Sequence, residues 1–160
     1  MSLVDYHEFE LRWLDRAKRD NQTVDMGDKF IALWIAFNGW MKRTFGEGLK
    51  DRMLIERVKD FPNIRNTFDT LKTNNEQFAK CLEELSRHSI ADMRFITDSD
   101  RITKYDGSFR SLIEAIYQIR CNLFHGRKDP AEDKKDYDLV CLSYDILLLL
   151  FEKYIVEYHL

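Results

Sequence analysis

The amino-acid sequence predicts an all-α protein, an up-and-down bundle of about five to seven helices that forms a single domain over residues 1–160. Three observations favour this fold class. Apolar residues recur three and four positions apart in most segments, which is the spacing of one helix face. The chain has only 6 Gly and 2 Pro, fewer than a turn-rich β protein needs. Hydrophobic residues make up 44% and charged residues 33%, the balance of a globular protein with a buried core.

The first half of the chain contains the most apolar of the predicted helices. Residues 3–19 alternate apolar and charged side chains with helical spacing and predict an amphipathic helix. Residues 30–41 are apolar on nearly every side, so we expect this helix to be buried all round, against other helices or across a subunit interface. Weaker helical segments follow at 49–59, which ends before Pro62, and at 64–72.

The second half of the chain contains three further predicted helices and one irregular segment. Residues 76–87 predict a helix, whereas 88–107 lack steady periodicity and predict a loop with a short extended piece. Ser108 is a good N-cap for a helix over 109–124, because its hydroxyl can accept a bond from a backbone N–H of the first turn. The long apolar segment 136–158 predicts the last helix.

Charge and cysteine content exclude several classes of protein. The net charge of −3 means that any binding of nucleic acid depends on a local patch, because the whole chain does not attract polyanions. Cys81, Cys121 and Cys141 are odd in number and widely spaced, which argues against a disulfide framework and a zinc site and favours a reducing cytoplasm. We see no export signal, and the longest apolar run, 140–151, is too short to span a bilayer. No metal, cofactor or membrane partner is therefore expected.

One short segment carries the candidate chemistry, namely Ile119-Arg120-Cys121-Asn122-Leu123-Phe124-His125-Gly126. An arginine is a fixed cation that can grip a phosphate with a planar fork of donors. A histidine gains and loses its proton near neutral pH. Together, Arg120 and His125 could cleave RNA without a metal. The alternative is that His125 only caps the end of its helix and Arg120 is one more solvated charge.

The two side chains share a face only under a geometric condition. If both residues were helical, they would lie about 140° apart around the axis. They can converge if the helix ends near Phe124, with Gly126 at its C-cap, so that His125 turns back. They can also act together if two chains pool their pairs across a two-fold axis.

The segment that carries Arg120 and His125 resembles the motif region of the HEPN superfamily, helical ribonuclease and toxin domains of RNA-processing and conflict systems. The mark of that superfamily is Arg-x(4–6)-His with a polar residue close after the arginine. In this chain Cys121 follows Arg120 directly, and Asn122 comes second. The apolar helix at 30–38 and the long apolar last helix also look like those of the superfamily.

This resemblance implies a metal-independent endoribonuclease that works as a homodimer with both motifs in one cleft. His125 would act as general base on a ribose 2′-OH or as general acid to the leaving 5′-oxygen. Arg120 would neutralise the charge that builds on the phosphate, and Asn122 would position the phosphate or hold the histidine ring. Such an enzyme cleaves only RNA and leaves a 2′,3′-cyclic phosphate. Such an enzyme is expected to act as a toxin or an antiphage effector that is inhibited by an antitoxin or another regulatory protein.

Three further residues are candidates for binding the substrate. Arg127 and Lys128 follow the motif and could form a short phosphate track, although a solvated loop has the same composition. Asn38 lies inside the most apolar helix and needs a polar partner there. One interpretation makes Asn38 a hydrogen-bonded tie between helices, and the other places it in the dimer cleft near Arg120.

A second function remains open alongside the nuclease. A non-catalytic dimeric HEPN-like scaffold could bind RNA, a nucleotide or a partner protein without cutting. The position of Asn122 and the acidic net charge favour the scaffold. The presence of both Arg120 and His125 favours the enzyme, because a scaffold has no chemical need for the pair.

Overall fold

The computed structural model describes residues 3–19, 25–92, 102–124 and 134–159, and within these ranges the protein is the all-α bundle that the sequence predicts. Seven helices and one pair of short strands lie in the described ranges. Their bounds are α1 (Leu3–Lys18), α2 (Met26–Phe45), α3 (Asp51–Lys59), α4 (Pro62–Asn74), α5 (Glu76–Ser86), β1 (Ile90–Ala91), β2 (Ile102–Thr103), α6 (Phe109–Phe124) and α7 (Lys134–His159).

Local capping explains where several helices begin. The Asp25 side chain accepts a hydrogen bond from the backbone N–H of Asp28 at 2.9 Å, so α2 begins four residues before the apolar run that predicted it. The Ser108 hydroxyl accepts a bond from the N–H of Ser111 at 3.1 Å, which confirms the predicted cap of α6. Pro62 stands in the first turn of α4, where its missing N–H costs nothing.

The segment 88–107 contains a strand pair that its sequence indicated only as a short extended piece. β1 and β2 pair antiparallel, with Ile90 opposite Thr103 and Ala91 opposite Ile102. Both strands contact α6. A two-stranded ribbon is marginal alone, so packing against this helix is needed to hold it.

The core is built around an aromatic cluster between α2 and α7. Trp40 is 1% exposed, and its ring contacts those of five other residues within 6 Å: Phe37, Phe45, Phe61, Phe151 and Tyr154. Truncating such a side chain to alanine typically costs about 3–5 kcal/mol of stability. This cluster fixes the position of α2, which carries one wall of the candidate site.

α1 packs unusually close to α2 at Gly39. A Cβ atom at that position would lie 2.4 Å from Cε1 of Phe9, so only glycine permits this approach of the two helices. Beside it, Arg43 of α2 pairs with the buried carboxylate of Glu10. At the other end of α1, the Tyr144 hydroxyl donates to the carbonyl of Ala17 at 2.6 Å, which ties α7 to α1.

Most of the apolar side chains of α2 are covered within one chain. Eight of its residues are buried, and the helix contacts α1, α3 and α7. The apolarity of 30–41 therefore does not by itself require a subunit interface, which had been one of the two explanations for it. None of the described helices combines the length and the apolarity that crossing a bilayer requires.

Candidate active site

Arg120 lies about one turn before the end of α6 and is anchored where α2, α3 and α6 meet. Its Nη2 atom lies 3.1 Å from Oδ2 of Asp51, in the first turn of α3. The arginine side chain is 23% exposed and that of Asp51 is 32% exposed, so the pair is only partly screened by water. A half-buried arginine with a fixed partner differs from a solvated surface charge.

Asn38 joins the same cluster from α2. Its Nδ2 atom donates to Oδ1 of Asp51 at 3.3 Å, while Oδ2 of the same carboxylate binds Arg120. One carboxylate thus holds the amide and the guanidinium together. The structure therefore brings Asn38 and Arg120 close together, and the same hydrogen bond ties α2 to α3.

Aromatic rings surround the rest of the Arg120 guanidinium. Its Cζ atom lies 4.3 Å from the ring centroid of Phe124, 5.6 Å from that of Trp34 and 6.0 Å from that of Tyr117. Guanidinium groups are attracted to aromatic faces at such distances, by about 0.5–1 kcal/mol or more for each ring. Burial raises the pKa of Tyr117 to about 12, so this ring carries no charge near neutral pH.

The three guanidinium nitrogens of Arg120 differ in their hydrogen-bond partners. Nη2 binds Asp51, and Nε is buried without a hydrogen-bond partner in the described part of the chain. Among the described residues, Nη1 makes only a 3.9 Å contact with Sγ of Cys121, a weak acceptor. Nη1 is therefore the donor best able to take a new acceptor such as a phosphate oxygen.

Arg120 lines a cleft of about 390 Å³ between α2 and the end of α6. The side chains around it combine cations, an amide, one carboxylate and aromatic rings. They belong to Phe9, Trp34, Ile35, Asn38, Lys42, Arg43, Glu47, Arg120 and Phe124, with Gly39 completing the wall. The cleft is concave and combines apolar rings with polar and charged side chains, which ligand sites use to fix orientation.

Asn122 lies on a different part of α6 from this cleft. It is 7% exposed, donates from Nδ2 to the carbonyl of Ala91 at 2.7 Å and accepts from Nε2 of Gln118 at 3.0 Å. These bonds attach β1 to α6. The structure does not bring Asn122 together with Arg120, since the two are two residues apart and project about 160° apart around the helix.

Three of the predicted site residues, His125, Arg127 and Lys128, lie outside the described residues. The described part of α6 extends to Phe124, the residue before His125. The roles of His125, Arg127 and Lys128 at the site remain predictions from the sequence.

Asp51 is the partner of Arg120 that the sequence did not suggest. It follows Lys50 at the start of a helix, where an acidic residue is favoured by the helix dipole whatever its other role. That position therefore predicts a helix start and gives no sign of Arg120. Only the packing of α3 against α6 makes them neighbours.

Comparisons of this chain with protein-family models, with curated proteins and with solved structures found no match. No group of three metal-binding side chains occurs in the ranges that the structure describes. The features that point to a function are therefore the motif residues and the geometry around Arg120.

Proposed function

We propose that this protein is a metal-independent endoribonuclease of the HEPN type that acts as a homodimer. The observation that carries this proposal is the setting of Arg120. Its guanidinium is fixed by Asp51 and by aromatic rings at the wall of a cleft, with one η nitrogen left for a phosphate oxygen. A preorganised cation of this kind stabilises charge as it develops in a transition state.

In the proposed reaction, His125 and Arg120 act on one phosphodiester. A histidine takes the proton of the ribose 2′-OH, whose oxygen then attacks the phosphorus. The bond to the 5′-oxygen breaks, and the leaving oxygen receives a proton from the second histidine of the dimer. Arg120 neutralises the charge on the non-bridging oxygens. The products are a 2′,3′-cyclic phosphate and a 5′-hydroxyl, and no metal takes part.

The other candidate residues have supporting roles in this proposal. Asn38 positions Arg120 through their shared partner, Asp51. Asn122 holds β1 against α6 and thereby supports the helix that ends at the site. Arg127 and Lys128 extend the phosphate track along the substrate. In a cell, such an enzyme would act as a toxin or antiphage effector under the control of an antitoxin or another regulatory protein.

One observation favours a second function. The charge of Arg120 already has a partner in Asp51, so the arginine could serve structure alone. In that case the protein would be a non-catalytic HEPN-like scaffold that binds RNA, a nucleotide or a partner protein. The two functions differ in whether a proton-transfer group is needed.

Cleavage of labelled total cellular RNA by variants separates the two functions. We expect His125→Ala to lower the rate by about a hundred- to ten-thousand-fold, since that is the usual contribution of a general acid or base. Arg120→Ala should also lower it, and the double variant should lose less than the product of both effects, because both residues serve one transition state. Arg110→Ala, an exposed arginine of the same helix paired with Asp60, is the matched control and should cut normally.

The scaffold is favoured if folded wild type cuts no RNA, or if folded His125→Ala cuts as fast as wild type. Circular dichroism of each variant establishes that it is folded. Two further measurements test the mechanism: EDTA should leave the rate unchanged, and the new 3′ ends should be cyclic phosphates. Light scattering at micromolar concentration should give twice the 19.2 kDa mass of the chain.

A further inference from the structure

The cleft beside Arg120 is larger than one phosphate group needs. Its volume of about 390 Å³ falls within the range of sites that enclose small organic molecules, about 300–1,000 Å³. Lys42 and Phe124 line this cleft together with Arg120, one from α2 and the other from the end of α6. Lys42 has no part in the cleavage chemistry proposed above, and Phe124 enters it only as a ring beside the Arg120 guanidinium.

Lys42 supplies a cation that forms no ion pair within the described ranges of the chain. The other two cations of the cleft are paired, Arg43 with the buried Glu10 and Arg120 with Asp51. Lys42 has no ion-pair partner among the described side chains. It projects from the last turn of α2, where its charge also meets the negative end of the helix dipole.

The cleft also contains one carboxylate, that of Glu47, which is exposed just beyond the end of α2. Its charge opposes the binding of an anion nearby. Removing it should therefore strengthen the binding of an anionic ligand, whereas removing Lys42 should weaken it. The two residues allow the charge of the cleft to be changed in both directions.

Phe124 supplies an exposed aromatic face at the same place. Its side chain is 44% exposed, one of the few large apolar residues in the described chain that are not covered, and the Arg120 guanidinium lies 4.3 Å from its ring. An exposed aromatic ring beside cations is the combination that binds single-stranded nucleic acid, because every base can stack on a ring while the backbone follows the charges.

We propose that this cleft binds the nucleotide next to the cleaved phosphodiester, with its base on Phe124 and its phosphate on Lys42. A base can reach the ring only when it is unstacked, so the ligand is single-stranded. The position of this nucleotide relative to the cut rests on the proposed function, whereas the binding itself does not require cleavage. The site thus gives Lys42 a role and gives Phe124 a role beyond its contact with Arg120.

The test measures binding apart from cleavage. The probe is a short fluorescein-labelled single-stranded RNA in which every ribose is 2′-O-methylated, so that 2′-OH attack is blocked, and binding is followed by fluorescence anisotropy. Phe124→Leu should weaken binding by about five- to 150-fold, the range for loss of one base–aromatic stack. Lys42→Gln should lower the slope of log affinity against log salt by about 0.7, as expected for one lost phosphate contact on a single strand.

Matched variants separate this site from general effects. Glu47→Gln should bind the probe more tightly than wild type, a gain that loss of structure cannot produce. Lys80→Gln removes an exposed lysine of α5, outside the cleft, and should bind as wild type does. With the unmodified RNA, Phe124→Leu should raise KM more than it lowers kcat.

The outcomes distinguish this proposal from the nuclease itself. If the probe binds with these dependences but wild type cuts no unmodified RNA, the site stands and the nuclease fails. If wild type cuts RNA but Lys42→Gln and Phe124→Leu bind and cut as wild type does, the site fails and the nuclease stands. A wild-type protein that does not bind the probe also overturns the site.

Discussion

Replacing Asp51 by asparagine removes the charge that holds Arg120 and keeps a side chain of nearly the same shape. In the native protein, Oδ2 of Asp51 lies 3.1 Å from Nη2 of Arg120, and Oδ1 accepts from Asn38. The amide oxygen of asparagine can still accept one of these bonds. The substitution therefore removes the ionic part of the interaction and leaves most of the packing unchanged.

The effect of this substitution can be bounded from the structure. Two unit charges at 3.1 Å attract by about 5 kcal/mol at an effective dielectric constant of about 20. Most of this is offset by the cost of desolvating both groups, because exposed pairs contribute about 0–1 kcal/mol and breaking buried pairs costs about 3–5 kcal/mol. With Asp51 32% exposed, we expect a loss of about 1–2 kcal/mol. In a protein of this size that lowers Tm by about 2–8 °C.

The same substitution should affect turnover more than binding. A guanidinium that is no longer held must be oriented during the reaction, so we expect kcat to fall about tenfold, which corresponds to about 1.4 kcal/mol. KM should stay unchanged or fall, because Asp51 no longer opposes the approach of a phosphate to Arg120. The assay is steady-state cleavage of a labelled RNA, with Tm measured on the same preparations.

Asp60→Asn is the matched control for this experiment. Asp60 follows the other end of α3, is 75% exposed and pairs with Arg110 at the surface. This change should alter stability by less than about 0.5 kcal/mol and leave kcat as it is. The positioning role of Asp51 is refuted if Asp51→Asn keeps the wild-type kcat, or if both variants lose activity equally.

Three other outcomes are expected. The hydrogen bond from Arg52 lowers the pKa of Glu114 from 4.5 to about 2, so the Glu114 carboxylate stabilises the fold above about pH 4.5 and ceases to do so as the pH falls towards 2. In urea unfolding at several pH values, Glu114→Gln should therefore lose less stability on acidification than wild type. A variant with the pH profile of wild type would contradict this expectation. Gly39→Ala should destabilise the protein and increase proteolysis of α1, because the new methyl group meets Phe9. Gly48→Ala adds a methyl group in open space and should change neither property. Equal stability of the two variants would show that α1 and α2 simply move apart. Added EDTA should leave RNA cleavage unchanged, and a loss of activity that magnesium or zinc restores would refute the metal-independent mechanism.

The sequence by itself determined the helices and several of their ends. The fold class, the apolar faces and the start of α6 at Ser108 follow from patterns that span a few residues, and the structure confirms them. Such patterns suffice because helical hydrogen bonds and caps join residues only three or four positions apart. The motif segment is likewise a run of adjacent residues and can be recognised from the sequence. The catalytic role of His125 within it remains a prediction.

Only the tertiary structure decided how the side chains of different helices meet. It brought Asp51 and Asn38 to Arg120, directed Asn122 towards β1, and covered α2 within one chain. The sequence indicated only that Asn38 needs a polar partner. The other contacts have no signal in the sequence, because each joins elements that are not adjacent in the chain. An acidic residue at a helix start looks the same whether it serves the helix dipole or an arginine. The packing of α3 against α6 determined that Asp51 does the latter.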